Sequence, residues 1–347
     1  MTWGVISFVT PTENGFTWGD MLFENEMLNN IRSKNLSDVL QTLRTNGECT
    51  LARLTENVDG GLTTVKKCIA QAIEYGMVLE GETAQSTGGR KAKQYLINEQ
   101  YQYFLFIIVD NNDFLIRLYD FALNCVENKR VSFDMNTFFP SLCRKIDAYV
   151  GKYKVGTIAV SLPCVINNGV IVDWFYNPTM KDFKIEKALR ERYDMNIVVK
   201  NDMKLTALGI SRRSDIRSKN VVVMQFGHNG IGMASLVNGH LLEGCNGFAG
   251  EVGYITDFSK NIASISYPAK LLRNAIVFLN PETVVFYKSQ RQNSFDRIYQ
   301  AAIKGLPSYA LPKYCVRDDY IDDIVVGLAY LINKNSYYKR KEDAENE

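Results

Sequence analysis

Apolar residues recur every three to four positions along three successive stretches near the start of the chain, which predicts three helices. Asn46-Gly47 ends the first helix, Thr50 caps the short second one, and the third runs from about Leu62 until Gly76. Their inward-facing apolar residues are Ile31, Val39, Leu40, Leu43, Leu51, Leu54, Val58, Val65, Ile69 and Ile73. Two short apolar runs, "MVLEGE" and "QYLI", then predict a pair of strands joined by the loop "TAQSTGGRKAK".

This order of elements is typical of a winged helix-turn-helix, in which the third helix enters the DNA major groove and the loop forms the wing. Exposed lysines and threonines on the third helix would meet bases and phosphates, and a glycine in the basic loop would let the backbone lie close to a narrow groove. The candidate DNA contacts are Thr63, Thr64, Lys66, Lys67, Gly89, Arg90 and Lys91. The alternative is a small helical packing domain with a solvated loop, but the order of helices and basic loop favours DNA binding.

From about Tyr101 the pattern changes to alternating apolar strands and amphipathic helices, which predicts a layered α/β body. Two adjacent apolar runs around Asn111-Asn112 predict a hairpin. The other predicted strands are "VGTIAVSLP", "GVIVDWF", "MNIVVKND", "NVVVMQFG", "IGMASLVNG" and "TVVFYK". The predicted helices are "FKIEKALRERYD", "MKLTALGISRR", "YPAKLLRNAIVFLN" and "YIDDIVVGLAYLINK".

The composition limits the classes of function. A net charge of +2 gives no global basic field, so any DNA contact must come from a local patch. Seven cysteines without a CxxC pair, and only two histidines, indicate reduced thiols and no metal site. No apolar stretch approaches the ~18–20 residues of a membrane span, and the first residues do not form a signal peptide pattern. We therefore expect a cytoplasmic protein that has no contact with the membrane.

Over residues 27–332 the order of motifs resembles the ROK family, which contains sugar kinases and sugar-responsive repressors. "STGGRKA" is similar to the family's wing, "VKND" to its E-N-D segment and "GIGMA" to its GxGxG turn. "GCNGFAGEVGY" is similar to its G-x-N-G-x-A-G-E-x-G-H signature, and "LNPETVV" to its N-P-E-x-I-V strand. The resemblance implies an α/β chain with an N-terminal winged helix-turn-helix and a two-lobed, actin-like (ribonuclease H-like) ATPase-type body.

The same resemblance implies a sugar site. Asp202 matches the family's catalytic base, while Asn177, Asn201 and Glu251 match positions that contact sugar hydroxyls. Amide and carboxylate groups suit that role because each can bridge two vicinal hydroxyls. Tyr254 stands where many members have a zinc-binding histidine, so it would line the effector pocket instead. The alternative for the Asn and Asp residues is an ordinary turn or cap.

The phosphate and zinc motifs depart from the family. Its D-x-G-G-T loop corresponds here to residues 110–114, "DNNDF", which lacks both glycines and places Asp113 where a phosphate would be repelled. Tyr287-Lys288 replaces the glycines that follow the N-P-E strand, and the cysteine cluster that binds zinc is missing. We therefore expect no cofactor, no metal, and a non-catalytic relative of the kinases in which Asp202 is a vestigial base.

These observations predict a DNA-binding transcriptional regulator, a repressor of carbohydrate-related genes that a sugar could control. Its domains would be an extension (1–26), a winged helix-turn-helix (27–98), a two-lobed body for effector binding and dimerisation (99–334) and a charged tail (335–347). A homodimer or dimer of dimers would bind a pseudo-palindromic operator. The alternatives are an ATP-dependent sugar kinase with an appended DNA-binding domain, and a regulator that answers to a protein partner.

Overall fold

The computed structural model describes residues 34–58, 60–83, 92–213, 215–227, 230–255, 264–288 and 294–335. The predicted extension, the loop residues Gly89, Arg90 and Lys91, and the tail beyond residue 335 lie outside these ranges. The chain divides into two compact units, with the boundary between Ile97 and Asn98.

The first unit contains three helices and a small antiparallel sheet. Its elements are α1 (34–46), β1 (Cys49–Thr50), α2 (Leu51–Asn57), α3 (Leu62–Glu74), β2 (Val78–Thr83) and β3 (Lys93–Ile97), with the strands in the order β1-β3-β2. Local chemistry sets the boundaries: Gly47 has a φ of +70° after α1, and the Thr50 side chain accepts from the Arg53 N–H at the start of α2. The helices pack through residues that are almost fully buried, among them Val39, Leu40, Leu43, Leu54 and Val65.

The second unit begins with a lobe built on a five-stranded sheet. Its strands are β4 (Tyr103–Asp110), β5 (Asp113–Tyr119), β6 (Cys125–Ser132), β7 (Val155–Leu162), β8 (Val165–Asn167), β9 (Val170–Asp173) and β10 (Asn196–Asn201), and its helices are α4 (Phe138–Val150) and α5 (Ile185–Arg192). The order β10-β7-β4-β5-β6 combines parallel pairs at one side with hairpins at the other, while β8 and β9 form a separate hairpin. Alternate side chains of β4, β7 and β10 fill the main core of this lobe, with Trp174 at 1% exposure.

A second lobe repeats this architecture. It contains α6 (Asp202–Ile210), β11 (Val221–Gly227), β12 (Gly230–Val237), β13 (His240–Leu241), α7 (Ser266–Leu279), β14 (Thr283–Tyr287), α8 (Phe295–Ile303), β15 (Lys313–Arg317) and α9 (Ile321–Asn335). The sheet order is β13-β12-β11-β14-β15, with β11, β14 and β15 parallel. The helices and strands predicted from the α/β pattern are all present, whereas the pattern did not single out α4, α8, β6, β8, β13 or β15.

Helices α6 and α9 cross at very short distance. A Cβ added to Gly209 of α6 would lie 1.9 Å from the Asp323 carbonyl oxygen, and one added to Gly327 of α9 would lie 2.2 Å from the Leu205 carbonyl oxygen. Each helix therefore needs a glycine where the backbone of the other one passes. The crossing fixes the start of α6, where the polar residues of the candidate site lie.

Replacing Gly327 with alanine should force the two helices apart. We expect Gly327→Ala to lower the free energy of unfolding by about 1–3 kcal/mol, the usual cost of overpacking a core. Gly253→Ala is the matched control, because its added Cβ meets no atom within 4 Å. Denaturant unfolding of both variants measures the difference, and equal stabilities would contradict the close crossing.

Candidate functional site

The junction of β10 and α6 places two polar residues between the lobes. Asn201 is the N-cap of α6: its Oδ1 accepts from the Lys204 backbone N–H at 2.9 Å, and its Nδ2 donates to the Cys164 carbonyl at 3.0 Å. Asp202, the first residue of the helix, accepts from the Met203 N–H at 2.7 Å. The Asn201 amide thus has structural partners on both its oxygen and its nitrogen.

Burial and neighbouring charges raise the pKa of two carboxyls at this junction. Burial is the main cause that raises the pKa of Asp202 to about 7, and the negative charges of Glu251 and Asp110 add to it. Burial also raises the pKa of Glu251; the Lys204 ammonium opposes this shift and Asp173 reinforces it. The structure therefore brings the Asp202 and Glu251 carboxyls within electrostatic reach of each other, while their roles toward a ligand stay predictions.

Two more charged groups and a thiol belong to this cluster, and the sequence analysis did not single them out. Asp173, at the end of β9, is partly buried, while Lys204 is only 3% exposed and its Nζ donates to the Gly247 carbonyl. The Cys164 thiol is buried beside Asp202, Glu251 and Asp173, and burial raises its pKa well above the ordinary value. A lysine at the third position of a helix is usually exposed, so only the fold could place Lys204 here.

Asn177 and Tyr254 make their contacts elsewhere. The Asn177 amide is buried, donates to the Met135 carbonyl at 3.1 Å and accepts from the Thr179 hydroxyl at 2.6 Å. Tyr254 is 47% exposed, and its ring lies against that of Phe248 with 4.9 Å between centroids. Within the described residues, neither side chain hydrogen-bonds to Asp202, so their roles toward a ligand remain predictions.

The turn that corresponds to the family's first phosphate loop is held by internal ion pairs. Arg130 of β6 contacts Asp110 at 3.1 Å and Asp113 at 2.9 Å, and the Ser132 hydroxyl donates to Asp113 at 2.5 Å. These bonds lower the pKa of Asp113, chiefly through Ser132 and Arg130, and so keep its negative charge in the turn. Such a turn offers a carboxylate where phosphate binding requires backbone N–H groups.

Side chains also occupy the ends of β14 and β15, where open α/β sheets bind their ligands. The fully buried carboxylate of Asp323 accepts from the Tyr287 hydroxyl at 2.7 Å and pairs with Arg213 at 2.7 Å and Arg317 at 3.1 Å. Burial raises the pKa of Tyr287, which keeps its hydroxyl a neutral donor. The end of β14, where the sequence has Tyr287-Lys288, is thus occupied by a network of ion pairs and hydrogen bonds.

In the first unit, one face of α3 is open to solvent. Thr63, Lys66 and Lys67 are exposed on this face, whereas Thr64 is half-buried. The Thr64 methyl group lies close to Gly60, because a Cβ added to that glycine would be 3.4 Å from it. The exposed stripe continues through Ala70 and Gln71. Three of the four helical residues predicted to contact DNA therefore share one accessible surface.

Within the described ranges, no group of three or more His, Cys, Asp or Glu side chains is arranged to hold a metal ion. Nor does any helix among those residues have the length and apolar character needed to cross a membrane.

Comparison with known proteins relates part of the second unit to a family. Residues 113–263 match the model of the ROK family. The xylose repressor of Bacillus subtilis (strain 168) is 22% identical over 240 residues, which cover 66% of this chain and 62% of the repressor. Part of the chain is thus similar to the ROK family, and the chain spans about three fifths of the length of that relative.

Solved structures share the fold. A ROK family transcriptional regulator, described as a homolog of the E. coli MLC protein, superposes with a TM-score of 0.66 at 15% identity and covers 89% of this chain and 97% of its own. A putative N-acetylmannosamine kinase from Listeria monocytogenes reaches a TM-score of 0.54 at 13% identity, covering 66% of this chain and 98% of its own. The body therefore has the α/β architecture that ROK regulators and sugar kinases share.

The raised pKa of Asp202 predicts a pH-dependent effect of its substitution. Between about pH 4 and pH 7 the folded chain holds a proton that the unfolded chain releases, so this group lowers stability progressively as pH rises through that window. Asp202→Asn should therefore gain stability relative to the wild type from pH 5 to pH 8, by at most about 4 kcal/mol.

Urea unfolding at pH 5, 6.5 and 8 measures this gain. Asp194→Asn, a change at an exposed carboxylate, is the matched control. A stability difference for Asp202→Asn that stays constant across the three pH values would contradict the raised pKa.

Proposed function

We propose that the chain is a DNA-binding transcriptional regulator, a repressor of carbohydrate-related genes whose activity responds to a sugar. The first unit would be its winged helix-turn-helix, with α3 as the recognition helix and β2, β3 and their loop as the wing. One observation carries the proposal. The chain combines an α3 face that is open to solvent and bears lysines with a kinase-like body in which side chains occupy the positions expected for a nucleotide.

The first unit supports this proposal by its geometry. Helices α2 and α3 are joined by a short turn, and the face of α3 opposite its buried residues carries Thr63, Lys66 and Lys67. The likeness to the ROK transcriptional regulator extends over 89% of the chain, a larger share than the second unit, which makes up 250 of 347 residues. Part of the first unit therefore takes part in that likeness.

The second unit supports a non-catalytic role. The Asp113–Arg130 pair and the buried Tyr287–Asp323 bond stand where a nucleotide would need space and N–H donors. The retained carboxylates Asp202 and Glu251 could still accept hydrogen bonds from sugar hydroxyls. We propose that such a ligand favours one arrangement of a homodimer, or dimer of dimers, over another with different DNA affinity.

The partner of the proposed dimer is double-stranded DNA with a pseudo-palindromic sequence, since two-fold symmetry in the protein requires it in the site. The xylose repressor among the relatives is consistent with a pentose or hexose as effector. We propose a cytoplasmic location on the same grounds.

Lys67→Ala should weaken binding to all DNA sequences and reduce the slope of log affinity against log salt by about one, the effect of losing one phosphate contact. Fluorescence anisotropy on DNA from around the protein's own gene, at two or more salt concentrations, measures both quantities. Lys187→Ala in α5 is the matched control, because that lysine is also exposed but lies in the body. Unchanged affinity and salt slope for Lys67→Ala would contradict the proposal that this face of α3 contacts DNA.

The second candidate is an ATP-dependent sugar kinase with an appended DNA-binding unit. The observation that favours it is Asp202, whose pKa of about 7 suits a general base near neutral pH. A coupled assay for ADP release with ATP and a set of hexoses distinguishes the two. We expect no sugar-dependent ADP release; release that Asp202→Asn abolishes would establish the kinase instead.

A further inference from the structure

The exposed face of α3 carries apolar as well as basic side chains. Leu62 at the start of the helix is 48% exposed and Tyr75 at its end is 50% exposed, while Lys66 and Lys67 are exposed between them. A spacing of four residues places Lys66 one turn after Leu62, and a spacing of eight places Tyr75 two turns after Lys67. Among the described residues, no ion pair joins either lysine to a carboxylate. The face therefore presents ammonium groups between two apolar ends.

The chain before α1 has the complementary composition. We call residues 1–31 the N-terminal segment; it contains no Lys or Arg, so its side-chain charge is negative. Its acidic residues are Glu13, Asp20, Glu24 and Glu26, and its aromatic residues are Trp3, Phe8, Phe16, Trp18 and Phe23. An acidic, aromatic stretch thus stands directly before a unit whose α3 exposes ammonium groups and apolar side chains.

The N-terminal segment is long enough to reach α3. The chain from Asp20 to Lys34 can span up to about 45 Å when extended, whereas a compact unit of this size has a radius of gyration of about 11 Å. A covalent connection of this length corresponds to an effective concentration of the order of 1 mM. At that concentration, a contact with an intrinsic Kd of about 0.25 mM occupies the face about four times as often as it leaves it open.

We propose that the N-terminal segment is an autoinhibitory element that binds the exposed face of α3 and competes there with DNA. Its carboxylates take the place of DNA phosphates beside Lys66 and Lys67, because both anions accept charge-assisted hydrogen bonds from ammonium groups. Its aromatic side chains cover Leu62 and Tyr75, and this burial of apolar surface favours the contact. The competition rests on the proposed function, since it requires that this face contacts DNA, whereas the binding of the segment to α3 does not.

The first test needs no DNA and uses the full-length chain. Four substitutions remove the charge of the segment: Glu13→Gln, Asp20→Asn, Glu24→Gln and Glu26→Gln. Labelling with acetic anhydride, followed by mass spectrometry, measures the reactivity of Lys66 and Lys67, and the exposed Lys187 of α5 is the internal reference. We expect Lys66 and Lys67 to react at least threefold more slowly in the wild type than in this neutralised variant, and Lys187 to react equally in both. Equal reactivity of Lys66 and Lys67 in the two proteins would overturn the proposal.

The second test measures the competition by fluorescence anisotropy on DNA from around the protein's own gene. The matched control is a tail variant with the same change of net charge: Glu342→Gln, Asp343→Asn, Glu345→Gln and Glu347→Gln. At low salt we expect the neutralised variant to bind DNA at least threefold more tightly than the tail variant does. This gain should shrink as salt is added, because salt weakens the ionic contacts of the segment. Equal DNA affinities of the two variants would refute autoinhibition.

The two tests separate this inference from the proposed function. If the wild type binds no DNA specifically but its Lys66 and Lys67 are protected from labelling, the proposed regulator fails while the assignment of the segment to α3 holds. Specific DNA binding together with unprotected lysines would overturn the inference and leave the proposed regulator in place.

Discussion

The arrangement of the body depends on the close approach of α6 and α9. Gly209 and Gly327 allow the two helix backbones to lie in direct contact. Asp323 of α9 is then buried in the interior, where Tyr287 and two arginines contact its carboxylate. A buried carboxylate is stable only with such partners, so the crossing and the ion-pair network require each other. The same crossing fixes α6, and with it Asp202 and Lys204 at the junction of the lobes.

We propose that this body has lost nucleotide binding and has kept its sugar-side residues at the same sheet edges. On one side, Asp110 and Asp113 are paired with Arg130, and the ends of β14 and β15 are closed by Asp323. On the other side, Glu251 lies within electrostatic reach of Lys204 and Asp173. We propose that internal ion pairs take the place of nucleotide contacts in the first region, while the second region keeps carboxyls that a sugar could contact.

The sequence predicted regular elements well where spacing and turn residues agreed, as in α2 with its Thr50 cap and α3 with Gly76 behind it. It did not reveal β6, whose side chains are mostly exposed and so lack a clear alternation. In the site, motif matches identified Asp202 and Glu251. Lys204 was not predicted, because its side chain contacts the Gly247 carbonyl, 43 residues further along the chain, and a local sequence pattern does not encode such a contact.

We propose that this chain binds DNA through a symmetric pair of α3 helices, and the rest of the proposed function depends on that binding. The most direct measurement is affinity selection of the full-length protein on a random double-stranded DNA library, followed by sequencing of the bound fraction. We expect enrichment of one inverted repeat with half-sites one or two helical turns apart, and loss of that enrichment when Lys66 and Lys67 are both replaced by alanine. Recovery of no motif, or of the same motif with the double variant, would contradict it.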